Sequence, residues 1–112
     1  MVASKTELFD KGLRQKADLF KALSHPARLQ ILQYLAKSKK CITGDISDHF
    51  PIARGTVNQH MKELKNAGLI VGHKKGSKIV YCLNTDKIKE LESALKSFVK
   101  EMHLPADFSC CL

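Results

Sequence analysis

Two groups of side chains in this 112-residue chain have types and spacing suited to chemistry. The first is four cysteines, at positions 41, 82, 110 and 111. A thiolate is a soft ligand and a nucleophile, so these positions could hold a thiophilic ion or cycle between thiol and disulfide. The second is a polar stretch made of Arg54, Thr56, Asn58, Gln59, Lys62 and Lys65, continued by His73, Lys74, Lys75 and Lys78. Arg, Asn and Gln can bond base edges with two prongs, while Lys suits phosphate. Between 54 and 78 six Lys and Arg stand against the single acid Glu63, whereas from 86 to 112 four Lys face five acids. Residues 54–78 therefore carry +5 of the chain's net +8, a local excess that suits a polyanionic partner better than general solubility does. With no Trp and only seven Phe and Tyr, a base-stacking platform for single strands is a poor fit, and a reader of duplex grooves a better one. Nothing sets a thiolate beside a base and an orienting carboxylate, and no Gly-rich phosphate loop is present, so no catalytic residue is assigned.

The elements that must position these groups follow from periodicity. Phe9, Leu13, Ala17 and Phe20 mark one face of a helix over 5–23, with Gly12 a weak point inside it. Ser24-His25-Pro26 opens a second helix carrying Leu29, Ile31, Leu32 and Leu35, closed by the basic run Lys37–Lys40. After a short extended Cys41-Ile42, Thr43 can cap a third helix with Ile46 and Phe50 inward and Pro51 at its end. A fourth helix over 53–67 buries Val57, His60, Met61 and Leu64 and stops at Gly68. Residues 69–74 and 78–83 read as strands of a hairpin turning through Lys75-Gly76-Ser77. A last helix, capped by Asn84 or Thr85, runs to about 103 with Ile88, Leu91, Leu95, Phe98 and Met102 on one face. The fold class is mainly α with a β-hairpin wing, in the order α-α-α-α-β-β-α: one domain over 1–104 and a cysteine-bearing tail over 105–112. No apolar run reaches the roughly 18 residues of a membrane span, and the N-terminus lacks a signal-peptide pattern, so a cytoplasmic protein with no membrane partner is expected.

Residues 20–32, Phe-Lys-Ala-Leu-Ser-His-Pro-Ala-Arg-Leu-Gln-Ile-Leu, resemble the opening of the ArsR/SmtB family of bacterial winged helix-turn-helix repressors. Residues 56–70, from Thr56 through His60-Met61-Lys62 to Ala67-Gly68-Leu69-Ile70, are similar to that family's recognition helix and its exit. The resemblance covers about residues 10 to 104. It implies a homodimer reading a near-palindromic operator on double-stranded DNA, with the first and last helices at the interface. It also implies an inducer, often a soft metal, that releases the DNA.

Both of the family's recurrent metal sites differ here. Ile42-Thr43-Gly44 stand where the family's Cys-Val-Cys box would be, with Cys41 one position earlier, and the last helix lacks the Asp and His pairs of the interface zinc site. Cys41, Cys110 and Cys111 remain as candidate ligands. Three thiolates without a paired His suit trigonal As(III) or Sb(III) better than tetrahedral zinc. Reversible thiol oxidation and an inert tail are the alternatives. Cys82 alternates along the hairpin and reads as a small core residue. His49 and His103 are the only histidines with any claim as metal ligands. DNA binding itself calls for no cofactor.

Overall fold

The computed structural model describes residues 8–38, 42–43 and 50–109. Its elements are α1 (Lys11–Ala22), α2 (Pro26–Ser38), β1 (Ile42–Thr43), α3 (Arg54–Asn66), β2 (Ile70–Lys75), β3 (Lys78–Leu83) and α4 (Thr85–Glu101). The expected third helix falls mostly on 44–49, and Cys41, His49, Cys110 and Cys111 also lie outside the described residues. Thr43, expected as a helix cap, pairs with Val80 in a ladder.

The core is built from Leu19 and Ala22 of α1, Ile31 and Leu35 of α2, Val57, Met61 and Leu64 of α3, Leu69, Ile70, and Leu91 of α4. Phe50 joins it, its ring 5.8 Å from that of Tyr34 and nearly perpendicular to it. All four residues expected on the buried side of α3 are there. That face seals the helix without help from a side-chain N-cap, since Ala53 supplies none.

The exit from α3 is a Schellman turn. Gly68 sits at φ +81°, its N–H bonding the Lys65 carbonyl, and the Leu69 N–H bonds the Leu64 carbonyl at 3.1 Å. Leu69 is thereby driven into the core, fully buried, and the chain turns directly into β2. The sheet order is β1-β3-β2, antiparallel throughout. Its hairpin pairs Lys75 with Lys78, so the loop is the two residues Gly76-Ser77 rather than three. Gly76 adopts φ +67°, the left-handed geometry such tight turns demand.

Helix α1 begins later than its apolar spacing implies. Asp10 accepts the Gly12 N–H at 2.9 Å and starts the helix there, which places Gly12 in the first turn instead of the interior. The apolar stripe read from the sequence is also not the buried face: Leu19 and Ala22 enter the core, while Phe9 and Leu13 are largely exposed. Helix α4 behaves likewise. Leu91 is its buried anchor, and Leu95, Phe98, Val99 and Met102 are exposed. The two helices meet through Phe20 against Phe98, with ring centroids 5.7 Å apart, and through Lys16 to Glu101 at 3.1 Å. No helix among the described residues is long and apolar enough to cross a membrane.

Candidate nucleic-acid interface

Burial of Val57, His60, Met61 and Leu64 at three- and four-residue steps fixes the rotation of α3. The opposite face is then set by helical geometry. Arg54, Thr56, Asn58, Gln59, Lys62 and Lys65 are all exposed, and a Cβ added at Gly55 would point into open space. Six of the sequence candidates are thus brought onto one helix surface. Gln59 is partly engaged: its amide donates to Glu63 at 3.1 Å, so contact with a base edge would exchange that bond.

The hairpin presents His73, Lys74 and Lys75, all exposed, at the far end of β2. Register separates them. Lys74 lies across from Ile79 and shares a face with Gly72 and Tyr81, whereas His73 and Lys75 point to the other side, with Val80 and Lys78 as their partners. The backbone of Lys78 is in β3. The candidate cation positions therefore fall on two elements, α3 and the hairpin, and on both faces of the latter.

A polar junction holds α3 against α2. His25 accepts the Ala27 N–H on Nδ1 at 3.0 Å, satisfying one of the free donors at the start of α2. Arg28 donates from Nη1 to the Lys21 carbonyl at 3.3 Å and from Nε to His60 Nδ1 at 3.2 Å. The His25 and His60 rings lie 4.2 Å apart. His60 is buried, and its Nε2 has no hydrogen-bond partner. Burial holds its pKa below the ordinary histidine value. His25 and Arg28 push in the same direction, and Glu63 opposes them weakly. Neutral His60 is the state this junction is built for, because a protonated ring could not accept from Arg28.

The thiols divide differently. Cys82 is not a simple core residue: it is half-buried on the β3 face opposite Tyr81, and it is disulfide-bonded. The three candidate ligands Cys41, Cys110 and Cys111 lie outside the described residues. Within the described residues, no group of three or more His, Cys, Asp or Glu could hold a metal ion, and His103 is exposed at the end of α4, with φ 54°.

Sequence reasoning missed Tyr81. Asn58, Met61, Lys62 and Lys65 on α3, together with Tyr81 on β3, line a cleft of about 220 Å³ between the helix and the hairpin. The available signal was Gly72, the residue paired with Tyr81. A Cβ at Gly72 would come within 3.3 Å of the Tyr81 ring, so the missing side chain is what gives the ring its place.

Comparison with known proteins gives this geometry its context. Residues 25–71 match the model of the family described as bacterial regulatory protein, arsR family. The transcriptional repressor SdpR of Bacillus subtilis is 36% identical over 84 residues, which is 75% of this chain and 92% of that protein. The arsenical resistance operon repressor of Staphylococcus xylosus is 35% identical over 71 residues, covering 63% of this chain and 67% of that one. A crystal structure of an ArsR family transcriptional regulator superposes with a TM-score of 0.65 at 25% identity, over 80% of this chain and 88% of the other.

Proposed function

The chain belongs to the ArsR family of bacterial regulatory proteins and is a transcriptional repressor rather than an enzyme; we propose that it works in the cytoplasm as a homodimer on a near-palindromic operator and is released by As(III) or Sb(III). In this reading residues 1–104 form the DNA-binding and dimerisation domain, and 105–112 a cysteine-bearing tail. The observation that carries it is the exposed α3 surface. A helix whose other side is sealed into the core offers Arg54, Asn58 and Gln59 to base edges. Thr56, Lys62 and Lys65 flank them, and His73, Lys74, Lys75 and Lys78 of the hairpin meet the phosphate backbone.

Two such helices, about one helical turn of DNA apart, would read both half-sites. The apolar residues left exposed on α1 and α4 and at their ends support a second copy as their cover: Phe9, Leu13, Leu95, Phe98, Val99 and Met102. For the inducer, Cys41, Cys110 and Cys111 supply the three soft ligands a trigonal metalloid takes once the disulfide at Cys82 is reduced. The resemblance to a repressor of an arsenical resistance operon supports that assignment. Release then needs only a difference in inducer affinity between the DNA-competent and DNA-incompetent dimers, on the order of 1–3 kcal/mol.

Operator-bound protein titrated with As(III), Sb(III), Zn(II), Cd(II) and peroxide tests this. Fluorescence anisotropy should fall with As(III) and Sb(III) and hold with Zn(II), and the double variant Cys110→Ser/Cys111→Ser should no longer respond. Equal release from that variant would remove the tail from the sensor. A thiol-redox reading is favoured by one observation, the disulfide at Cys82. There, peroxide would take two thiols to a disulfide and two waters, and release by peroxide alone would select it.

A further inference from the structure

We infer that the cleft between α3 and the hairpin is the seat of a single DNA phosphate, and that the Tyr81 hydroxyl is one of the donors that hold it. The inference rests on the DNA-binding reading above and adds a residue and a ligand atom to it.

When a helix lies in one groove and an adjoining hairpin reaches the next, the sugar-phosphate strand that separates the two grooves must pass between them. Whatever lines the space between α3 and the hairpin therefore faces phosphate and not bases. That space is the cleft lined by Asn58, Met61, Lys62, Lys65 and Tyr81. Asn58, Met61, Lys62 and Lys65 recur at three- and four-residue steps, so they share the flank of α3 that looks toward β3. Lys62 and Lys65 are exposed, and among the described residues neither ammonium group has a hydrogen-bond or ion-pair partner. The only acid on α3, Glu63, is engaged by Gln59 and lies off this flank.

Tyr81 completes the wall from the other side. Its ring packs against the core and lies over Gly72, whose missing side chain leaves the room it occupies. Its hydroxyl makes no hydrogen bond among the described residues, and the ring is only half-buried. A phenol held rigidly by its ring, with its O–H unengaged, is a fixed donor. Two ammonium groups, a primary amide and that phenol surround a space that a phosphodiester, which only accepts, would satisfy. Lys74, on the same face of the hairpin as Tyr81, extends the positive wall toward the tip.

Four proteins would be compared by anisotropy on operator and unrelated duplexes across a salt series: wild type, Tyr81→Phe, Lys65→Gln and the double variant. Tyr81→Phe keeps the ring and its packing, so folding is preserved. It should weaken both duplexes by about three- to tenfold, the worth of one hydrogen bond, with the salt slope unchanged because no charge is lost. Lys65→Gln should lower the slope by about one. The double variant should lose less than the product of the two single losses, because both act on one phosphate. Tyr81→Phe binding as tightly as wild type at every salt concentration would overturn the inference. So would a loss confined to the operator, which would make Tyr81 a base reader. Failure of wild type to bind any duplex would instead overturn the DNA-binding reading itself.

Discussion

Replacing Leu95 and Val99 together by serine should turn the proposed dimer into a largely monomeric protein without unfolding it. In the single chain these side chains are 42% and 56% exposed, one helical turn apart on α4. Full burial of a Leu or Val side chain is worth about 1.5–3 kcal/mol. Their exposed fractions add to about one whole side chain, hence about 2 kcal/mol per copy. A symmetric interface counts it twice, giving about 4 kcal/mol, or roughly 700-fold in dimer dissociation, if a partner covers all of that area. Half coverage leaves about 2 kcal/mol and roughly 25-fold. Sedimentation equilibrium over a concentration series reads the dissociation constant directly. Far-UV circular dichroism and the melting temperature report on the fold, which should hold because Leu91 anchors α4 from the other face. Operator affinity should fall in parallel, since a monomer engages one half-site only. A dissociation constant within threefold of wild type, with the fold intact, would refute the assignment of this face to a second copy.

Arg54→Ala should cost about 1–3 kcal/mol on the operator and relax preference at one base pair, while Lys75→Ala should weaken all duplexes alike and lower the salt slope by about one. Competition binding against single-substitution operators separates the two. Acidification should destabilise the fold through His60. Its pKa in the folded state is depressed, so its contribution is intact above pH 6.5 and is lost as pH falls below that value, by at most about 1.4 kcal/mol per pH unit. Urea midpoints at pH 7.5 and 5.5 should therefore converge in wild type toward those of His60→Asn, which keeps an acceptor for Arg28 and does not titrate. A parallel pH response in the two proteins would clear His60. Leu64→Ala, at a site with no exposure, should lose about 2–5 kcal/mol of stability in the same assay.

Much of this molecule is legible in its sequence where a strong local period coincides with burial. Helix α3 is the clearest case: Val57, His60, Met61 and Leu64 define its inner face, and the outward residues follow by rotation. Gly68 announces its end because the turn needs a left-handed residue there. Helix α1 is less legible. Periodicity says that Phe9 and Leu13 belong to an apolar stripe, but not whether the chain's own core or another surface covers it, and here the core takes Leu19 and Ala22 instead. The start of α1 was set by one hydrogen bond, Asp10 to the Gly12 N–H, which apolar spacing does not encode. A two-residue strand such as β1 has no period at all. Tyr81 was invisible for a different reason. Its alternation marks it as an inward strand residue, which it is, yet it lines a cleft only because α3 approaches from a distant part of the chain and Gly72 leaves the ring its place.

The brevity of β1 conceals its mechanical position. Ile42 and Thr43 share a ladder with Tyr81 and Val80, and β3 is the central strand of the sheet, hydrogen-bonded on its other side to the strand that carries His73, Lys74 and Lys75. Cys41 is joined to Ile42 by a single peptide bond. A pull on that cysteine is thus one link away from a rung on the central strand, whose opposite neighbour carries Lys74 and Lys75, so backbone hydrogen bonds alone join position 41 to the hairpin.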